Sequence, residues 1–279
     1  MLIVKRARYL EMAERFDTAR AVSLLVHEHT ELLAPRYFEV PDEPGEPPVL
    51  VHEWIPNPTL EDIWPELDVP VRERALHETG RLLRRIHRVP IAGHGMLPES
   101  LTGGTTLLRF LEADLLGRLG PAIAARWRRA TKSVDRLYDA FAEVLASRED
   151  PPAVLVHNDL FAANVLCAGA DADFHCAGVL DFDDAFAGPI EADLAKTEVL
   201  HGPLFGRQLR GAWFEYVLEG YGDDPDAVLI ALFRAYHLLN MGYHAAVTRL
   251  RAHATEVAGA VERELDRWEA GERHRVVLG

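Results

Sequence analysis

Positive charge is scarce in this 279-residue chain: 30 lysines and arginines stand against 44 aspartates and glutamates, a formal net charge of −14. That balance excludes a nucleic-acid surface as the main business, because a phosphate backbone needs a basic face. Cysteine is scarcer still. Cys167 and Cys176 are too few for a disulfide framework or a zinc site. They flank the turn "AGADAD" and are placed to face each other across a hairpin, as small buried thiols of a reducing cytoplasm. No charged-then-apolar leader opens the sequence, and no apolar run approaches the ~18 residues of a membrane span. A soluble cytoplasmic protein with neither membrane nor nucleic acid as partner is expected. Internal repeats and low-complexity segments are also lacking.

What is present is a chain with 48% hydrophobic residues, enough for one large domain or two modest ones. "MLIVKRA" reads as a short strand. "YLEMAERFDTARAVSLLVHEH" has helical spacing through Ala21, Leu24, Leu25 and Glu28. "PRYFEVPDEPGEPPVLVHEWI" reads as two strands around an acidic turn. Further on, Leu76, Leu83 and Ile86 form one helical stripe, and helices are expected around Leu107–Leu119, Ala124–Ala146 and Leu209–Glu269. The pattern predicts a small α/β part over residues 1–55 and a mainly helical part over 56–279.

The chemistry concentrates in "VLVHNDLFAANVL", Val154 to Leu166. Two aliphatic strands bracket a polar loop that carries Asp159 and Asn164. Beyond them, Asp181 ends the apolar run "AGVL", so a hairpin brings Asp159, Asn164 and Asp181 together. Phosphoryl transfer from ATP needs a carboxylate to position the attacking hydroxyl and accept its proton. It also needs oxygen ligands for Mg²⁺, which takes few from the protein. Asp159 fits the first task; Asn164 and Asp181 fit the second.

These stretches, with "VLDFDDAFAGPIEADLAK", resemble the aminoglycoside phosphotransferase and choline kinase family, a branch of the protein-kinase-like fold. The resemblance implies an α+β, two-lobe protein-kinase-like fold with a truncated N-terminal lobe and a larger, mainly helical C-terminal lobe. It implies that Asp159 is the catalytic base, that Asn164 and Asp181 bind Mg²⁺, that His157 supports the loop, and that Asp193 hydrogen-bonds it. It also implies that the backbone at Glu53, Trp54 and Ile55 meets adenine and that Lys5 holds the ATP phosphates. Two features depart from the family pattern. No G-x-G-x-x-G precedes Lys5, and Ala19 stands where the lysine's glutamate partner is expected, with Glu14 and Asp17 nearby.

Other conspicuous residues read as structural. His27 and His29 lie two apart and do not share a helix face. His87 reads as a packed helix-end histidine, and Trp213, Phe214 and Tyr216 read as core. Six acids against Lys196 alone, from Asp181 to Glu198, leave Asp183 and Asp184 near the reaction centre as groups that favour a cationic acceptor. The expected function is ATP-dependent phosphorylation of a hydroxyl on a small amine-bearing molecule such as an aminoglycoside. Its rivals are a kinase of a housekeeping metabolite (choline, homoserine or a sugar) and a non-catalytic ligand-binding protein.

Overall fold

The computed structural model describes residues 1–6, 13–38, 40, 47–170, 173–209, 213–248 and 251–270. The chain opens with strand β1 (Leu2–Arg6), helix α1 (Ala13–His29), and strands β2 (Tyr37–Phe38) and β3 (Val49–Glu53). The strands form an antiparallel sheet in the order β1-β3-β2, with Lys5 opposite Leu50 and Tyr37 opposite His52. Alternation along β1 turns Leu2 and Val4 to solvent and Ile3 and Lys5 inward. The acidic turn expected between β2 and β3 falls largely on 41–46, and the expected helix start on 9–12; both lie outside the described residues.

Helix α1 buries a different face from the one its leucines suggest. Phe16, Ala19, Val22, Ser23 and Val26 are buried, whereas Leu24 is 71% exposed. Val22 and Val26 are the i, i+4 pair that packs most deeply, Leu25 is partly buried against the same core, and Leu24 alone of the two leucines is out of phase with it. Phe16 and Ala19 meet Leu50 and Tyr37 beneath the small sheet. Val22 and Val26 instead join the main core with Leu32 and Ala34. One helix thus ties the small sheet to the larger part, and the Thr18 hydroxyl adds a hydrogen bond to the Leu97 carbonyl at 2.8 Å.

The larger part continues with α2 (Leu60–Ile63), α3 (Val69–Ile86), β4 (Gly95–Met96), α4 (Leu107–Leu111), a π-helical stretch (Glu112–Leu119), α5 (Gly120–Arg126) and α6 (Thr131–Leu145). Four short strands follow: β5 (Val154–Val156), β6 (Val165–Ala168), β7 (His175–Val179) and β8 (Phe186–Gly188). The chain then stays helical through α7 (Ile190–Leu209), α8 (Trp213–Tyr221), α9 (Ala227–Val247) and α10 (Arg251–Glu269). The helical tail therefore starts at Ile190, earlier than the expected Leu209, directly after Pro189, a residue well suited to a helix start. No described helix is long and apolar enough to cross a membrane.

Helix α3 starts at the Asp68 cap, whose carboxylate accepts from the Val71 N–H, and buries Leu76, Leu83 and Ile86 as their spacing requires. It meets α8 at backbone distance through two glycines. A Cβ on Gly80 would lie 2.0 Å from the Val217 carbonyl oxygen, and one on Gly220 2.0 Å from that of His77. Gly80→Ala is expected to destabilise the protein by about 1–3 kcal/mol, because neither backbone can yield without repacking. Gly117→Ala is the control, since its nearest neighbour would be Glu112 O at 3.9 Å. Urea denaturation of both variants checks this. Equal midpoints for Gly80→Ala and the parent would show that α3 and α8 are not so closely packed.

Candidate active site

Two ladders frame the site. Strand β5 pairs antiparallel with β8, placing Val156 opposite Phe186, and β6 pairs with β7, placing Val165 opposite Val179. The loop 157–164 leaves β5 and enters β6; the loop 180–185 leaves β7 and enters β8. Both ends of each loop are thus held against the other. The β6–β7 hairpin places Cys167 opposite Cys176, both buried free thiols. It is braced from outside as well. The Leu33 N–H donates to the Ala177 carbonyl at 3.0 Å, and the Cys167 N–H donates to the Pro58 carbonyl at 2.9 Å. At its base the Leu180 N–H donates to the Asn164 carbonyl at 2.9 Å, which brings Asn164 and Asp181 to neighbouring positions.

Asp193, on the first turn of α7, is fully buried and holds the start of the first loop. Its carboxylate accepts from the backbone N–H of His157 at 2.7 Å and of Asn158 at 2.9 Å. His87, at the end of α3, donates from Nε2 to the same carboxylate at 3.1 Å, and its Nδ1 meets the Tyr221 hydroxyl at 3.0 Å. Burial alone would raise the Asp193 carboxyl. The His87 hydrogen bond and charge outweigh it, with help from His157, and hold the carboxyl below the usual range. The fully buried His157 ring joins the two loops. Its Nδ1 accepts from the Asp159 N–H at 3.2 Å, and its Nε2 donates to the Leu180 carbonyl at 2.9 Å. Burial lowers its pKa against the pull of Asp193, so the ring is neutral, as these partners require.

Asn158 and Asp181 have φ of 62° and 65°, a conformation that Asn and Asp adopt more readily than other non-glycine residues. Asn158 Nδ2 donates to the Asp184 carbonyl at 3.0 Å and adds another link between the loops. Asn164 Nδ2 donates to the Asp159 carbonyl at 2.8 Å and to its carboxylate Oδ2 at 3.4 Å. That leaves Asn164 Oδ1 outside the pairing. Above them, Lys5 Nζ reaches Asp181 Oδ1 at 2.9 Å and Asp183 Oδ2 at 3.4 Å. The lysine partner sought on α1 is thus replaced by carboxylates of the second loop: Ala19 is buried in the small cluster, and Asp17 pairs with Arg20.

Three acids crowd this space, and their charges show it. Burial raises the Asp159 carboxyl to about 6, with Asp184 and Asp181 adding to it and Lys196 and Asn164 opposing. Burial and then the Asp181 charge raise Asp183 to about 6 as well. Asp181 sits below its usual value because the Lys5 hydrogen bond and charge overcome its burial. One ammonium therefore serves two carboxylates, and Asp183 Oδ1 is buried without a hydrogen-bond partner. A hard divalent cation fits this deficit, with carboxylate and carboxamide oxygens as donors. Among the described residues no cluster of three or more His, Cys, Asp or Glu is arranged for a metal. A cation here would take much of its shell from phosphate and water, the habit of Mg²⁺.

The Glu53–Ile55 segment closes the small sheet. The Glu53 N–H donates to the Arg36 carbonyl at 2.9 Å and the Trp54 N–H to the Met1 carbonyl at 3.2 Å. Below the two loops opens a cavity of about 580 Å³, lined by α1, the π-helical stretch, the 183–186 segment, Lys196 of α7, and α9. Asp114 projects from the π-helical stretch into its wall and accepts from Arg118 Nε at 2.6 Å and from the Tyr236 hydroxyl at 2.8 Å. Sequence reasoning placed Asp183 and Asp184 here as free acids for a cationic acceptor. Neither is free: Asp183 faces Lys5, and Asp184 pairs with Arg15 at 2.5 Å. It also passed over Lys196, Tyr236 and His237, which line the cavity. The available signal was Lys196 itself, the one base in an acidic run, a single helical turn after Asp193.

A carboxylate and a carboxamide on one loop, an acid on the facing loop and a lysine from a small sheet, set above a cavity, define a phosphotransferase of the protein-kinase-like α+β fold. The sequence model of the phosphotransferase enzyme family matches residues 2–231, and the chain belongs to that family. It is a small-molecule kinase with an alcohol group as acceptor. A comparison with curated protein sequences finds no significant match. Among solved structures, the fold is similar to the GDP complex of an aminoglycoside 2'-phosphotransferase-IIIa mutant, with TM-score 0.67 and 14% identity, covering 96% of this chain and 87% of that one. It is similar to a thermostable mutant of aminoglycoside phosphotransferase APH(4)-Ia in complex with ADP and hygromycin B, with TM-score 0.68 and 16% identity over 95% and 85% of the two chains. A GDP and kanamycin complex of APH(2")-IIia gives TM-score 0.67 at 15% identity over 94% and 86%.

The raised carboxyl of Asp159 has a consequence for stability. A carboxyl at about 6 in the folded state, against ~3.9 unfolded, binds its proton more tightly when folded. Native stability therefore falls as pH rises from about 4 to about 6, and the loss persists at pH 7. Asp159→Asn removes the titrating charge and keeps an oxygen for Asn164. The variant is expected to melt above the parent at pH 7, with the gap closing near pH 4. A variant that melts below the parent at pH 7 would show that the ionised carboxylate is held favourably.

Proposed function

We propose that the protein transfers the γ-phosphoryl group of ATP to a hydroxyl of a small molecule, with Asp159 as the group that receives the hydroxyl. The observation that carries this reading is the juxtaposition of Asp159, Asn164 and Asp181 on two mutually bonded loops, between Lys5 above and the cavity below. Lys5 would meet the phosphates once they draw it from Asp181, and the Glu53–Ile55 backbone would meet the base. Asp181 and Asn164 would hold Mg²⁺, which neutralises charge on the phosphate oxygens. Asp159 orients the acceptor hydroxyl in line with the phosphorus and accepts its proton. A carboxylate whose pKa is lifted toward neutrality is a stronger base than an exposed one. Glu14 and Glu99 at the exposed mouth of the cavity favour an acceptor that carries an amine, with aminoglycosides the first class to try.

Transfer of labelled phosphate from ATP to a panel of alcohols tests the reading. Asp159→Asn is expected to lower kcat by roughly 10²–10⁴-fold while the protein stays folded, the usual contribution of a general base. Near-normal turnover in that variant would remove Asp159 from the mechanism. Asp181→Ala is expected to weaken nucleotide binding with Mg²⁺ far more than binding without it, by calorimetric titration. Equal loss under both conditions would make Asp181 a structural residue. A parent protein that binds no nucleotide with Mg²⁺ would point instead to the non-catalytic ligand-binding rival.

A further inference from the structure

Most charges on the inner wall of the cavity are matched. Asp184 pairs with Arg15 at 2.5 Å, Asp183 with Lys5 at 3.4 Å, and Asp114 with Arg118 at 2.6 Å. Lys196 is the exception. It lines the cavity, yet makes no ion pair or hydrogen bond with any described residue. Its side chain is half-buried with the ammonium open to the cavity, and desolvation pulls its pKa below the usual lysine value against the attraction of Asp159, Asp184 and Asp193. On the α9 side it faces His237 and His244. Burial lowers both histidines and the Lys196 charge lowers them further; an imidazole is neutral or cationic and offers Lys196 no counter-charge. A half-buried ammonium that faces a cavity without an ion-pair partner is a point at which an entering anion is attracted.

The position of Lys196 says what that would be. The nucleotide side of the site is the Lys5 side, where Asp181 and Asp183 already compete for one ammonium. Lys196 lines the cavity with Tyr236 and His237 of α9, one turn of α7 beyond Asp193, near enough to Asp159 for its charge to act on that carboxyl. A molecule in the cavity that presents its hydroxyl to Asp159 would bring its remaining substituents toward Lys196.

We propose that Lys196 recognises an acid group of the acceptor, so that the substrate carries a carboxylate or comparable anion near the hydroxyl that is phosphorylated. This rests on the kinase reading above and narrows its amine-bearing acceptors to those that also carry an acid group, which aminoglycosides such as kanamycin lack. With the exposed acids of the mouth, Glu14 and Glu99, left to meet an amine, the class is that of amino-acid-like alcohols: acid inward, amine outward. A polyamine without an acid group would set its charge against Lys196 and would be a poor substrate.

The test uses matched pairs that differ in the acid alone: serine against ethanolamine, homoserine against 3-aminopropan-1-ol, and glucosaminic acid against glucosaminitol, with kanamycin alongside. Phosphate transfer from Mg²⁺·ATP is followed for the full chain, for Lys196→Met and for Lys196→Arg, with melting curves to confirm folding. The acid member of at least one pair is expected to exceed its partner in kcat/KM by about tenfold or more, the scale of one desolvated charge pair. Lys196→Met should raise KM for that acid by a similar factor and erase the preference, with the loss in KM rather than kcat. Lys196→Arg should recover part of it. A parent without preference, or turnover confined to the acid-free members or kanamycin, overturns the proposal. An equal fall in kcat for both members of a pair overturns it too, and places Lys196 on the transferred phosphoryl group. Nucleotide binding is measured calorimetrically on the same samples. Absent binding with Mg²⁺ overturns the kinase reading and this proposal together, whereas bound nucleotide without turnover of any acid member overturns this proposal alone.

Discussion

A single buried carboxylate, that of Asp193, fixes the geometry on which the rest of the site depends. It takes two backbone amides of the first loop and the ring of His87 at once. Hydrogen bonds to a charged group are worth roughly 1.5–3 kcal/mol each, and leaving either amide buried and unpaired would cost about as much as a bond contributes. The arrangement therefore tolerates little movement of α7 relative to β5. His87 reaches Asp193 because it caps α3, and Tyr221 supports His87 because α8 lies against α3 through Gly80 and Gly220. The close helix contact, remote from the reaction centre, thus sets where Asp159 stands.

Fixing the loops this tightly also allows a concentration of negative charge that a softer structure would relieve. Asp159, Asp181, Asp183 and Asp184 lie within one small region, and two of them are raised to about 6. Such crowding destabilises the protein at neutral pH. It also creates the attraction for cations that phosphoryl transfer needs. Lys5 meets part of that demand from β1, and Arg15 meets another part from α1. Both bases belong to the small sheet and its helix, so the small part is drawn onto the larger one by charge as well as by Val22 and Val26. A ligand with its own cation would compete with Lys5 for Asp181. Binding and the approach of the two parts are therefore coupled through the same carboxylate.

Much of this was legible in the sequence where the signal is local. The strand–loop–strand of Val154 to Leu166 and the hairpin that follows read directly from aliphatic runs and their spacing. The hairpin predicts that Asn164 and Asp181 stand together and that Cys167 faces Cys176. The stripe of α3 was equally clear. The failures were of another kind. Leu24 misdirects the face of α1, because periodicity does not say that this helix serves two cores at once. The start of α7 at Ile190 was hidden by the acidic, functional run before it. Asp183 and Asp184 seemed free because nothing local announces that Lys5 and Arg15, some 170 residues earlier, turn toward them. Ion-pair partners distant in sequence are set by the fold, and no spacing rule reaches them.

The division of labour between elements explains why the reaction and its acceptor can vary independently. The groups assigned to phosphoryl transfer sit on the two loops and are held by ladders and by Asp193, which cannot change without loss of position. The wall that a substrate would touch comes largely from α1, the π-helical stretch and α9, with Asn158 and the 183–186 segment completing it. Among the described residues, none of these three elements contributes a hydrogen bond to the loop backbones. A π-helical turn is itself an irregularity retained where a side chain must be aimed, and here it aims Asp114 at Arg118 and Tyr236. Among the described residues, Lys196 is the wall residue carried by the same helix as Asp193, so its backbone is held in register with the loop. An anchor on that helix fixes a substrate relative to Asp159 itself, whereas an anchor on α9 or α1 fixes it only relative to the cavity. Holding the reacting hydroxyl in line with phosphorus depends on the first kind of anchor, because near-attack geometry tolerates errors well below an ångström.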